Sequence, residues 1–151
     1  MTTFLGLEPL IVARLDALVR DALGVHVLST ADLAATTEAG LPKPSVRVAY
    51  GGHRIIQEAA PLPPGWAHVE QTWVVVPAVR NVRDIKAGAA PRADASVLCD
   101  AVLDALDGWN AGNGYGALRS ATPGFAPATI DGCTYVPLAF TSRFRRTTQC
   151  A

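Results

Sequence analysis

Cysteine is scarce in this chain. Cys99, Cys133 and Cys150 are an odd number without the paired spacing of a zinc site, so neither a disulfide framework nor a Cys-rich metal centre is implied, and a reducing compartment fits best. Charge is also scarce, at 17% of 151 residues, and it is balanced, with 13 Lys plus Arg against 13 Asp plus Glu. A dedicated duplex-binding protein needs a basic excess to release counterions from phosphates, which leaves room here only for a local basic patch. Zero net charge also removes the self-repulsion that keeps soluble monomers apart, as suits a subunit that associates. Long hydrophobic runs are missing too. Arg14 and Asp16 interrupt the first apolar stretch well short of a membrane span, and the N-terminus lacks a basic start, so neither export nor a bilayer crossing is expected.

The usual marks of chemistry are equally thin. His26, His53 and His68 are widely separated and form no His-x-His or His-Glu-x-x-His pattern, so structural or surface roles account for them. A Cys-dependent hydrolase needs a thiolate, an adjacent base and an oxyanion hole. Cys99 falls on the apolar stripe of a predicted helix, Cys133 follows the turn-like Asp131-Gly132, and Cys150 is next to the C-terminus. The segment Gly112-Asn-Gly-Tyr-Gly-Ala-Leu-Arg follows a helix and lacks Gly-Lys-Ser/Thr, so it reads as a flexible loop and not a phosphate cradle. No catalytic residue, metal site or cofactor is expected.

What is abundant is apolar surface, at 50% of residues. A chain of this length fits one domain spanning 1–151 that removes roughly 68–70% of its unfolded surface from water. Leu7, Ile11, Leu15, Leu18 and Ala22 recur at spacings of three and four, which predicts an amphipathic helix from Leu7 to Leu23 capped by Gly24. Val25 to Leu28 reads as a brief strand before the polar run Ser29 to Gly40. Val46, Val48 and Tyr50 then start a strand that Gly51-Gly52 turns back into a second arm, His53 to Glu58.

The prolines of Ala60-Pro-Leu-Pro-Pro-Gly-Trp forbid a ladder and predict a loop. His68 to Val79 is the strongest strand, apolar on both sides near its middle, as for a central strand covered on both faces; Pro77 should end central pairing or put it at an edge. Arg80 to Arg92 lacks a period and reads as a long exposed loop. Ala95, Leu98, Cys99, Val102, Leu106 and Trp109 form a second helical stripe opposite Ser96, Asp100, Asp104 and Asp107, and glycines then mark an irregular link. From Tyr135 to Arg146 the chain alternates, with Val136, Leu138, Phe140 and Phe144 on one side and Ala139, Thr141, Arg143 and Arg145 on the other. That is a half-buried strand with a basic, solvated edge. The predicted class is α+β, two helices on a small mixed or antiparallel sheet.

Two basic groups remain as candidate contacts: Arg80, Arg83, Lys86 and Arg92 around the long loop, and Arg143, Arg145 and Arg146 at the end. A solvated rim and a surface for acidic partners or a passing nucleic-acid backbone both account for them. Tyr115, flanked by glycines, is a candidate docking aromatic. Arg143→Glu with Arg145→Glu is expected to spare the fold while impairing assembly.

The helix Glu8-Pro-Leu-Ile-Val-Ala-Arg-Leu, the strands Pro44-Ser-Val-Arg-Val-Ala-Tyr and Gln71-Thr-Trp-Val-Val-Val, the helix exit Leu103-Asp-Ala-Leu-Asp-Gly-Trp and the strand Tyr135-Val-Pro-Leu-Ala-Phe together resemble the tail terminator proteins of long-tailed bacteriophages, particularly the Mu-like group. The resemblance covers nearly the full chain and rests on element order and apolar spacing. It implies a virion structural protein of the tail or neck, assembled in the host cytoplasm: a subunit of a six-fold ring that caps the tail tube, stops its polymerisation and offers a head-attachment surface. Its implied partners are further copies of itself, the tail tube protein and head-tail connector or neck proteins, with DNA passing through the lumen unread. Another neck, head-tail adaptor or tail-tube subunit is the neighbouring reading, and a Cys-dependent hydrolase the distant one.

Overall fold

The computed structural model describes residues 2–35, 37–80 and 89–148. The elements run α1 (Leu7–Leu15), a π turn (Asp16–Arg20), α2 (Asp21–Leu23), β1 (His26–Leu28), α3 (Thr30–Ala35), β2 (Ser45–Ile55), β3 (Trp66–Arg80), α4 (Ala89–Leu106), β4 (Arg119–Ala121), β5 (Ala128–Ile130), β6 (Cys133–Tyr135) and β7 (Leu138–Thr147). They form one seven-stranded sheet ordered β1-β2-β3-β6-β5, with β7 also on β3 and β4 on β7. Only β1 with β2 is parallel among the described pairs, so the sheet is mixed and the class is α+β.

The first helix covers the expected span, but its stripe is shifted. Leu7, Ile11, Leu15 and Val19 are fully buried while Leu18 is 45% exposed. A strict four-residue spacing drifts by about 40° per step around an α-helix. The wider π turn at Asp16–Arg20 takes up that drift and brings Val19, one residue beyond the expected Leu18, onto the sheet. Gly24 ends the run in the left-handed conformation, φ 64°, as a C-terminal cap should.

Gly51-Gly52 is not a turn. The strand continues through it, and the register on β3 slips by one residue between Tyr50↔Trp73 and His53↔Gln71, which is a β-bulge. A side chain at Gly51 would bring a Cβ within 3.0 Å of Val74 Cγ2 and 3.1 Å of the Thr72 carbonyl. The glycine pair therefore permits close approach of two strands, and the hairpin partner is β3 itself.

Pro77 also departs from expectation, since it lies inside the central strand opposite Val46. Its carbonyl accepts a hydrogen bond from the Val136 N–H at 3.1 Å. A residue's N–H and C=O leave a strand on the same side, so the missing N–H of Pro77 faces the joint where β6 ends and β7 begins. Pro137 occupies that joint, and the single last strand read from Tyr135 is two strands. Arg80 closes β3 instead of opening a loop, and Arg92 belongs to α4, which starts earlier than the apolar stripe showed. The short elements α3, β4 and β5 lie in stretches that read as polar or irregular.

All the long helices pack on one side of the sheet. Leu7, Ile11, Leu15 and Val19 join Leu98, Val102 and Leu106 of α4 over Val46, Val48, Val69, Trp73, Val75, Phe140 and Phe144. The opposite side of the same strands carries Arg47, Ala49, Glu70, Thr72, Val74, Ala139, Thr141 and Arg143, and none of these belongs to the core cluster. The expectation of a sheet covered on both faces is thus met by helices on one face only.

Candidate assembly surface

The open side of the sheet is organised in rows that the strand register dictates. At its upper end residues 37–44 fold over it. Arg47 Nη1 lies 2.7 Å from Glu38 Oε2 and Lys43 Nζ 3.4 Å from Glu38 Oε1, while the Arg47 guanidinium sits over the Tyr135 ring at 5.2 Å. The hydrogen bond from Arg47, aided by those from Tyr135 and Lys43, outweighs desolvation and holds the Glu38 carboxyl down at about 2. Burial, with the hydrogen bond to Glu38, pushes the Tyr135 phenol well up. This corner is a closed ion network, built on buried Arg47 and Ser45.

The lower end is different, because its arginines point outward. Arg54, Glu70 and Arg143 stand in one cross-strand row of β2, β3 and β7. Each arginine Nε lies 2.6 Å from its own oxygen of Glu70, and the two side chains remain 69% and 57% exposed. The hydrogen bond from Arg54, then that from Arg143, lowers the Glu70 pKa against the cost of burial. In the next row His68 stands opposite Arg145, with Glu58 Oε1 2.6 Å from His68 Nδ1 and 4.0 Å from Arg145. On the other flank Arg119 of β4 pairs with Thr141 and lines an open groove with Gly116, Ala117 and Arg143. The result is a basic patch on a rigid sheet.

Of the eight candidate contacts, Arg143 and Arg145 share this patch. Arg146 points to the helix side, its guanidinium 5.9 Å above the Phe4 ring. Arg80 is exposed at the far end of β3. Arg83 and Lys86 lie outside the described residues, as does the side chain of Arg92. Tyr115 is a correction: it is 5% exposed, donates its hydroxyl to the Thr3 carbonyl at 2.6 Å and meets the Phe144 ring edge-on at 5.5 Å. Its ring faces the core, so packing, not docking, is its use. Arg143→Glu also loses its expected neutrality, since the new carboxylate would face Glu70, itself only 8% exposed.

Sequence reasoning missed Arg54 and Arg119. Both depend on register, which neither residue's local context reveals. The only hint is Glu70, a lone carboxylate in the most apolar strand, which needs a cationic neighbour once buried.

The described cysteines, Cys99 and Cys133, lack the surroundings of a nucleophile, and Cys150 lies outside the described residues. Burial, then the charge of Asp100, raises the Cys99 pKa, which disfavours the thiolate. The Cys133 thiol is directed at the Asp131 carbonyl at 3.9 Å. Among the described residues no group of three His, Cys, Asp or Glu could hold a metal ion, and no described helix is long and apolar enough to cross a membrane.

The arrangement is a sheet with one helix-covered side and one open side carrying rows of charged side chains. Comparison with known proteins supplies the class: the model of the family described as phage tail terminator protein matches residues 1–149, and the chain belongs to that family. It is a virion structural protein of the phage tail and neck region. A chain from the virion of a native gene transfer agent particle shares the fold, with a TM-score of 0.58 at 19% identity, over 92% of this chain and 94% of that one. No curated protein matches significantly.

Proposed function

We propose that residues 1–151 act as one unit that ends the growing tail tube, as a subunit of a closed, six-fold ring whose far side receives the head-tail connector or neck proteins. The observation that carries this reading is the family match across 1–149. Physical support comes from the polarity of the fold: one side of the sheet is sealed by helices and the other is open and charged, so two unlike surfaces are available for a head-to-tail contact between identical copies. Such head-to-tail contacts close into a ring when their rotation permits. DNA passes through the lumen without base contacts, consistent with the absence of a net basic charge.

The subunit makes and breaks no bond. Alkylating the cysteines is expected to leave assembly intact, whereas a turnover lost on Cys133→Ser would contradict this reading. The direct test is negative-stain imaging of the purified protein alone and with tube subunits. Closed rings that appear at tube ends and arrest elongation are the expected result; stacked tubes formed by this protein alone would instead favour a tube subunit.

A further inference from the structure

The outer side of α4 has a charge pattern that the fold does not use. Ala95, Leu98, Val102, Ala105 and Leu106 are buried, so Asp100, Asp104 and Asp107, all exposed, face away from the sheet, while Asp94 lines a groove beside Lys43 and Arg80. None of these three has a basic partner within salt-bridge distance among the described residues, although Asp107 Oδ1 accepts the Ser120 N–H at 2.9 Å. Val97, 55% exposed, lies one turn before Asp100. Thus the molecule is acidic on the back of its helix layer and basic on the open side of its sheet, while its net charge is zero.

We propose that the basic open side of one copy receives the acidic outer side of α4 of a second copy. This rests on the ring reading above and identifies the contact that builds it. Among the described residues Arg54 and Arg143 spend only Nε on Glu70, which leaves their outer N–H groups for carboxylates, a geometry that suits paired oxygens. Arg119 has no acid within reach among the described residues. The dimensions agree: the basic rows from Thr141 to Arg145 extend about 14 Å at the usual strand rise, and Asp100 to Asp107 extend about 10 Å at the helical rise. Half-buried Thr72 and Thr141 offer a flat seat beside the rows, and Val97 an apolar anchor. A nucleic-acid backbone is a poorer occupant, because a chain with 13 basic against 13 acidic residues has no basic excess to hold phosphates.

The contact can be tested by mixing two reversed copies. One carries Arg119→Glu with Arg145→Glu, which spares Glu70; the other carries Asp100→Lys with Asp104→Lys. Each alone presents like charge to like charge, and its association by light scattering should weaken on the order of 100-fold. Mixed in equal amounts they should regain rings, because each reversed side then meets its complement in alternation. Circular dichroism checks that each copy is folded; should one not fold, Arg119→Gln with Arg145→Gln is expected to weaken association about 10-fold. Folded copies that assemble normally alone, or that stay apart when mixed, overturn the contact while leaving the ring intact. Unaltered rings combined with lost duplex DNA retention would reassign the patch to nucleic acid, and a wild-type chain that never assembles would overturn ring and contact together.

Discussion

The two sides of the central sheet are made from the same strands and do opposite work. On the helix side Trp73, Val75 and Phe140 are fully buried, and each contributes stability through area removed from water, roughly 1.5–3 kcal/mol for a valine. On the open side the neighbouring residues are small or charged, and Glu70 holds two exposed arginines. Apart from Val74, Ala78 and Ala139, few apolar side chains are buried there, so the open side contributes less to stability than the helix side. One residue's step along a strand separates the two roles.

That division is broken most severely by Val75→Asp, which places an unpaired carboxylate under the helices. A loss above about 4 kcal/mol is expected, read as failure to reach a folded state in chemical denaturation. Val69→Thr should be far milder, and that difference rests on chemistry and not on exposure, since Val69 is itself 1% exposed. A hydroxyl without a partner there should cost about 1–3 kcal/mol.

Gly116→Ala comes next. A Cβ there would lie 2.6 Å from the Arg143 carbonyl oxygen, and the Gly116 N–H donates to that same oxygen at 2.7 Å. The link must then leave the β7 edge, with an expected loss of about 1–3 kcal/mol and faster hydrogen exchange at Gly116.

Glu70→Gln sharpens the comparison from the open side. It removes the charge from a row whose arginines are mostly hydrated, so only about 1 kcal/mol should be lost in thermal melting, well below the helix-side changes. The smallest effect is that of acid. Glu38 and Glu70 both have lowered pKa values in the fold, so they bind protons less readily than in the unfolded chain. Their stabilisation is complete above the unfolded carboxylate range and is lost as pH falls. For Glu38 the window runs from its ordinary 4.5 down to about 2. Melting temperature should decline across it, and Glu38→Gln should flatten the slope.

The helix side was largely legible in the sequence because burial imposes a period. The α4 stripe, the central strand and the Gly24 cap all follow from spacing. The π turn did not, since a four-residue repeat at Leu7, Ile11, Leu15 and Val19 looks like an ordinary helix until its drift is followed. Gly51-Gly52 was misread because the same dipeptide serves a turn or a bulge, and only the strand facing it decides. The open side was half legible: the alternation at Arg143 and Arg145 marked a solvated face, but Arg54 and Arg119 reach it through pairings that no local window contains. Tyr115 misled for a similar reason, as glycines on both sides allow its ring to turn inward as readily as outward.

The central claim is that this chain acts by closing on copies of itself at the end of a tail tube. The most direct measurement adds the purified protein to elongating tube subunits and follows tube length by electron microscopy. Growth that stops with a ring at the tip is the predicted result; tubes that continue to lengthen beside a protein that stays monomeric at every concentration would contradict it.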